Sequence, residues 1–171
     1  RVWPCWTASA LLALCAGWCA AGDKSVSGTV TDAKGQPAAG VEIAVGWNCD
    51  AKAKRLEPAQ KIKTDRTGRF SGSVPCDEGP VAIMALDKDR SAGAIKVVPV
   101  GDLSKSIKLQ MSPLVNIAGE LALGEFSTAP KSYTIELQVQ PENVGVIKFD
   151  TDSTKLKLSL PVAGYRMLVT A

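Results

Sequence analysis

Two pairs of closely spaced carboxylates are the residues best able to do chemistry in this sequence. Asp87 and Asp89 have the Asp-x-Asp spacing of calcium-binding loops, and so do Asp150 and Asp152. Such a loop also needs a third oxygen ligand, a glycine and a distal glutamate, and none follows either pair at the required offset. We therefore predict that both pairs lie in solvated turns, with no bound metal and no other cofactor.

Other residue types needed for catalysis are scarce. The chain of 171 residues has no histidine, which excludes triads and general bases built on imidazole. It also has no evident nucleophile–base pair, phosphate-binding loop or nucleotide-binding glycine motif. A formal net charge of +3 is too small to indicate nucleic-acid binding. The sequence therefore predicts a protein that is not an enzyme and does not bind nucleic acid.

Sugar binding is an alternative that depends on exposed aromatic side chains beside polar groups. Phe126, in a Gly-Glu-Phe-Ser-Thr segment, is the aromatic best placed to contact a ligand, whereas Phe70 and Tyr165 fit core positions. The lysine-rich stretch at 52–55 could contact an anionic polymer, although a solvated hairpin is the more common role of such a run. A protein or polysaccharide of the cell envelope is thus the expected kind of partner.

Residues 1–22 have the three parts of a secretory signal peptide: Arg1, an apolar run over 8–21, and small residues at the end of that run. The run is shorter than the roughly 20 residues that a membrane-spanning helix needs. A buried core helix is the alternative. Leu14 and Trp18 precede Cys15 and Cys19, where a lipoprotein signal has a small residue. We therefore predict export to the periplasm, the cell surface or the medium, and disfavour a lipid anchor.

The cysteines agree with export. Cys49 and Cys76 are the two that remain after residues 1–22 are removed. An even pair in an exported domain predicts a disulfide, and two free thiols are the alternative. The bridge would close a loop of about 28 residues and stabilise the fold by on the order of 3–4 kcal/mol. No Cys-x-x-Cys redox motif is present.

The elements after residue 22 are predicted to be β-strands. Short alternating runs such as 26–31 and 41–47 are separated by turns rich in Gly, Pro, Asp and Asn, and no helical period is sustained. Asp65-Arg66-Thr67-Gly68 predicts a tight hairpin, and 48–60 an exposed loop. The fold class is therefore all-β, with any helix confined to the signal segment.

An internal repeat predicts two tandem domains, over 25–112 and 114–171. The segment 156–161 matches 70–75, 86 positions earlier, and Gly164-Tyr165 matches Gly79-Pro80, 85 positions earlier. Seven strands are expected in the first domain and five in the second, which has no equivalent of 91–111. We therefore expect the chain to be a fragment. We also expect the second domain to have an open sheet edge or an exposed apolar strip. Leu156, Leu158 and Leu160 would lie on one face, with Tyr165, Met167 and Val169 alternating nearby.

The segments 26–41 and 64–70 carry a family resemblance. A Gly-x-Val first strand, a Gly-x-Pro turn, Gly-Val, and then Thr-Asp-x-x-Gly-x-Phe resemble a carboxypeptidase regulatory-like domain. Such domains are similar to transthyretin and to Cna B-type repeats, and the second repeat matches them less closely. The motif positions, all interpreted as structural, are Gly28, Gly40, Asp65, Gly68, Phe70, Gly164 and Tyr165.

The resemblance implies a non-catalytic, immunoglobulin-like or prealbumin-like β-sandwich that accompanies larger exported or surface proteins. The carbohydrate-binding-like fold group that includes such domains describes a fold and not a ligand. Our sequence-based hypothesis is an exported module that acts as a structural spacer or an interaction domain. The alternatives are a carbohydrate-binding module and the accessory N-terminal region of an exported enzyme, thioredoxin-like or peptidase.

Overall fold

A computed structural model describes residues 23–47, 58–75, 79–122 and 131–170. The predicted signal segment, Cys49, Cys76, Phe126 and the lysine-rich stretch at 52–55 lie outside these residues. Within them the regular structure is β, apart from one short 3-10 turn at Val100–Asp102. The all-β prediction is therefore confirmed. No helix in the described part of the chain is long and apolar enough to cross a membrane.

We define the first unit as residues 23–113. Its described residues form eight strands: β1 (Asp23–Thr31), β2 (Glu42–Trp47), β3 (Pro58–Lys63), β4 (Arg69–Pro75), β5 (Pro80–Leu86), β6 (Ala92–Pro99), β7 (Ile107–Gln110) and β8 (Ser112–Pro113). They make two sheets, ordered β4-β1-β7 and β3-β2-β5-β6-β8. All neighbours are antiparallel except β1 and β7, which run parallel.

Alternation in the sequence builds the core between these two sheets. In β1, for example, Val26 and Val30 are buried, and Ser27 between them is exposed, because successive side chains of a strand point to opposite faces. One continuous apolar cluster joins both sheets, and its largest fully buried members include Ile43, Ile83 and Leu103. The first unit is therefore a β-sandwich.

Two features of this unit differ from the sequence-based expectation. The exposed loop expected over 48–60 gives way at Pro58 to β3, an edge strand paired with β2. A proline is tolerated there as the first residue of an edge strand. An eighth strand, Ser112–Pro113, pairs with the start of β6.

The second unit is residues 115–170. In its described parts, 115–122 and 131–170, it has five strands: β9 (Val115–Glu120), β10 (Tyr133–Val139), β11 (Val144–Thr151), β12 (Lys155–Leu160) and β13 (Tyr165–Thr170). Strand β9 pairs with β12 as β1 pairs with β4. Strand β10 lies between β11 and β13 as β2 lies between β3 and β5. The two units therefore share the same connectivity over five strands.

The strand pairing relates single residues of the two units. Gly28 pairs with Phe70, and Gly119 pairs with Leu156, so if the two glycines are equivalent, Phe70 and Leu156, 86 positions apart, are equivalent as well. At β13 the strand pairing shifts the sequence-based alignment of the two units by one residue. If buried Ile43 and Ile135 are equivalent, their partners Ala85 and Val169 are equivalent as well. This places Tyr165 level with Val81 and not with Pro80.

The two units contact each other through the outer face of β5. Ala82 and Met84 point away from the core of the first unit and pack with Val139 and Val146 of the second. Strand β5 is therefore buried on both faces, which explains its unbroken apolar sequence from 81 to 86.

Candidate functional site

Gly28 and Phe70 mark a close approach inside the first sandwich. Phe70 is buried in the core, opposite Gly28 in the register. A Cβ at Gly28 would meet the carbonyl oxygen of Ile107 and lie 2.8 Å from the Phe70 ring. The glycine is therefore needed so that β7 and the ring can both pack against β1.

Asp65 and Gly68 organise the hairpin between β3 and β4. Asp65 Oδ1 accepts hydrogen bonds from the backbone N–H of Thr67 (2.7 Å), the Thr67 hydroxyl (2.7 Å) and the backbone N–H of Arg69 (3.0 Å). These bonds, that from Arg69 first, lower the pKa of Asp65 below its usual value. Gly68 has a φ of 73°, which favours glycine. The Oδ1 atom of Asp65 therefore holds the turn.

Gly40 ends the turn before β2, with a φ of 71°. Next to it, the buried Thr64 hydroxyl donates to the carbonyl oxygen of Ala38 (2.7 Å) and accepts from the backbone N–H of Val41 (3.0 Å). Thr64 thus ties this turn to the end of β3. The sequence motif contains Thr64. Its two hydrogen bonds, however, join segments more than 20 residues apart, so this role does not follow from the motif.

In each Asp-x-Asp pair the first aspartate makes internal hydrogen bonds. Asp87 lies at the turn after β5, whereas Asp150, which was expected in a solvated turn, lies near the end of β11. Asp87 Oδ1 accepts from the backbone N–H groups of Ser91 (2.7 Å) and Ala92 (3.1 Å). Burial by itself would raise the pKa of Asp87, but bonds from the Ser91 hydroxyl and these backbone groups outweigh it and lower the pKa. Asp150 accepts from the Thr134 hydroxyl (2.7 Å). Among the residues described, no three potential ligands cluster around one point.

Tyr165 is half-buried at the start of β13. Its hydroxyl donates to the carbonyl oxygen of Pro161 (2.9 Å), and its ring packs against the cluster between the two units. Burial raises the pKa of this phenol to about 12. A methyl group at Gly164, just before it, would lie 3.5 Å from the Cβ of Gln140, which is an ordinary van der Waals contact. The pair is therefore a packing feature and has no reactive partner among the described side chains.

One open groove of about 630 Å³ lies on the first unit, lined by residues of β1, β3 and β4 and by Ser106. It contains the cations Lys63 and Arg69 together with Asp65, whose carboxylate serves the hairpin. Of the aromatic side chains whose burial is described, Phe70 and Tyr133 are buried, and Phe149 and Tyr165 are partly covered. Within this part of the molecule the groove therefore has no aromatic platform for a sugar ring.

The second unit leaves apolar side chains uncovered along β9. Val115 and Ile117 are 46% and 44% exposed, yet they share a face with Leu160 and Leu156, which are buried. The face is thus covered along β12 and open along β9. The sequence-based expectation named the three leucines of β12 and the alternating residues of β13 as the apolar surface in need of cover, and it missed Val115 and Ile117. The alignment of Ile117 with Val26 in the repeat was the sequence feature that could have identified them.

Strand β13 has the same kind of open face. Met167 and Val169 are 45% and 43% exposed, although their partners on β10, Leu137 and Ile135, are buried. Among the described strands, β13 pairs with β10 alone and β9 with β12 alone. We call Val115 and Ile117 of β9, together with Met167 and Val169 of β13, the open side of the second unit, although the two strands belong to different sheets. These uncovered apolar positions are the ones best suited to contact another molecule.

No protein-family model and no curated protein matches this sequence.

Proposed function

We propose that this protein is a non-catalytic β-sandwich module that serves as an interaction domain or spacer of a larger exported protein. The open side of the second unit is the observation that carries this proposal. The large exposed hydrophobic residues of the described chain all lie in the second unit: Val115, Ile117, Val162, Met167 and Val169. A group of uncovered apolar side chains is typical of a surface that contacts another protein.

Two further observations support the proposal. Asp87 and Asp150, one aspartate of each Asp-x-Asp pair, accept internal hydrogen bonds, which is a structural use of these carboxylates. The signal-like segment 1–22 and the resemblance to carboxypeptidase regulatory-like domains favour an exported accessory module. An accessory role beside an exported enzyme is compatible with this proposal. Sugar binding has no specific support in the described residues.

Site-specific photo-crosslinking in the native host tests the proposal. A photoreactive phenylalanine analogue at position 117 reports on the open side, and the same analogue at 118 is the matched control on the opposite face of β9. We expect a protein adduct from 117 and none from 118. Equal adducts from both positions, or none from 117, would contradict an interaction role for this surface.

A further inference from the structure

The sheet β4-β1-β7 of the first unit presents hydroxyl groups and cations on the face that points away from the core. In β1 the buried valines alternate with Ser27 and Thr29, which therefore face outward. Ser27 pairs with Ser71 of β4, and Thr29 lies between Arg69 of β4 and Lys108 of β7 in the register. A threonine hydroxyl is thus flanked by two cations and lies next to a pair of serines.

Several of these side chains line the open groove of about 630 Å³. Its lining contains four hydroxyl side chains: Ser27, Thr29, Ser71 and Ser106. The charged groups of the lining are Lys63, Arg69 and Asp65, and Asp65 Oδ1 already accepts the hydrogen bonds of the hairpin. No carboxylate of the described residues forms an ion pair with Lys63, Arg69 or Lys108. The groove therefore combines hydroxyl donors with cations that are available to an anion.

The equivalent face of the second unit has a different charge pattern. When the two units are aligned by their strand pairing, Thr29 corresponds to Glu120, and Arg69 corresponds to Lys155. Glu120 lies directly opposite Lys155 in the register, so a carboxylate stands where the first unit has a hydroxyl. That carboxylate would repel an anion. The anion-attracting arrangement is therefore particular to the first unit and does not follow from the shared strand pairing.

The groove is open to solvent in the described part of the molecule. It lies beside the hairpin that joins Lys63 to Arg69. The opposite ends of these two strands, at Pro58 and Pro75, are about 16 Å and 20 Å further along, at roughly 3.3 Å per residue. The undescribed segments 48–57 and 76–78 join the first unit at those opposite ends. The second unit packs on β5, which belongs to the other sheet.

We propose that this groove binds a linear polymer that carries phosphate groups. Phosphate oxygens accept hydrogen bonds from hydroxyls and from the planar fork of an arginine, and the groove offers both kinds of donor. A volume of about 630 Å³ is typical of sites for whole ligands, whereas a single phosphate ion would fill little of it. The site lies on the first unit and is independent of the open side of the second.

The spacing of the cations and the absence of a stacking surface narrow the class of polymer. Arg69 and Lys108 lie on either side of β1, so their backbones are two strand spacings, or about 10 Å, apart and can serve different phosphate groups of one chain. Phe70 is the one aromatic residue that lines the groove, and it is buried. A nucleobase would therefore have no described ring on which to stack, which disfavours nucleic acid.

Calorimetric titration of the full chain with linear polyphosphate tests the proposal. We expect saturable binding that weakens as the salt concentration rises. Arg69→Gln should weaken binding about threefold to fivefold. Thr29→Glu should weaken it more, because it places a carboxylate between the two cations. Lys155→Gln removes the same charge at the equivalent position of the second unit and is the matched control, which should change binding little.

Circular dichroism and thermal melting show whether each variant is folded, and Lys108→Gln replaces Arg69→Gln if the latter is not. No saturable binding, or equal losses from Arg69→Gln and Lys155→Gln, would overturn the proposal. Inorganic phosphate that binds as tightly as polyphosphate would contradict a polymeric ligand, and polyglutamate that binds as tightly would contradict the choice of phosphate. A single-stranded oligonucleotide that binds more tightly would replace the proposal by nucleic-acid binding. Crosslinking at position 117 tests a different surface, so the two proposals can fail separately.

Discussion

Gly28 and Gly119 occupy equivalent places in the two units but have different surroundings. A methyl group at Gly28 would clash with backbone and with the Phe70 ring, whereas at Gly119 no atom lies within 4 Å. We predict that Gly28→Ala lowers the free energy of unfolding by about 2–3 kcal/mol through overpacking. Gly119→Ala should change it by less than about 0.5 kcal/mol. Chemical denaturation of both variants is the measurement, and equal losses would contradict the difference in packing.

Tyr165 should make stability depend on alkaline pH. Its folded pKa, about 12, is raised above the usual value of 10.0, so its contribution is complete below pH 10 and is lost as the pH rises through 12. Tyr165→Phe should cost about 1 kcal/mol at neutral pH through loss of the bond to Pro161. It should also reduce the fall in stability between pH 10 and 12. A difference between wild type and variant that stays constant over this range would show that the phenol does not titrate as proposed.

Among the elements, the hairpin between β3 and β4 depends on one carboxylate. Asp65 has a lowered folded pKa, so its contribution to stability is present above its unfolded pKa near 4 and is lost as the pH falls through the folded value. We predict that Asp65→Ala lowers the melting temperature at pH 7 and that the difference from wild type shrinks below pH 4. Asp89→Ala, in the exposed turn after β5, is the control and should have a smaller effect at pH 7.

The two hydrogen bonds of the Thr64 hydroxyl join the turn before β2 to the end of β3. Thr64→Val keeps the shape of the side chain but removes the acceptor for the Val41 N–H and the donor to the Ala38 carbonyl. An unpaired backbone group at this buried site should lower the free energy of unfolding by about 1–3 kcal/mol. Urea denaturation measures the loss. A variant as stable as wild type would mean that water accepts the hydrogen bond from the Val41 N–H instead.

At the scale of the whole molecule, the two units share an apolar contact between β5 and the second unit. Met84 is 5% exposed within that contact and lies outside the core of the first unit. We predict that Met84→Lys increases hydrogen exchange in β10 and β11 more than in β1, because the charge must leave the contact. Ser71→Lys, at an exposed position of the first unit, should leave the exchange of β10 and β11 unchanged.

Local sequence was sufficient for the strands and for several turns. Alternation predicts which residues of β1 point inward, and the Asp-x-x-Gly pattern predicts the hairpin in which Gly68 has its positive φ, because both depend on near neighbours in the chain. The repeat also emerged from the sequence, since equivalent strands carry similar patterns in the same order. At β13 the strand pairing differs from the sequence-based alignment by one residue.

Which side chains are buried by other strands could be learned only from the three-dimensional structure. Nothing in the pattern of 81–86 tells which apolar residues face the core and which, like Met84, face the second unit. Ile117 and Val26 have similar chemistry and equivalent pairing, but one is exposed and the other is buried. The physical reason is that solvent exposure depends on which strands lie alongside, and those strands come from distant parts of the chain.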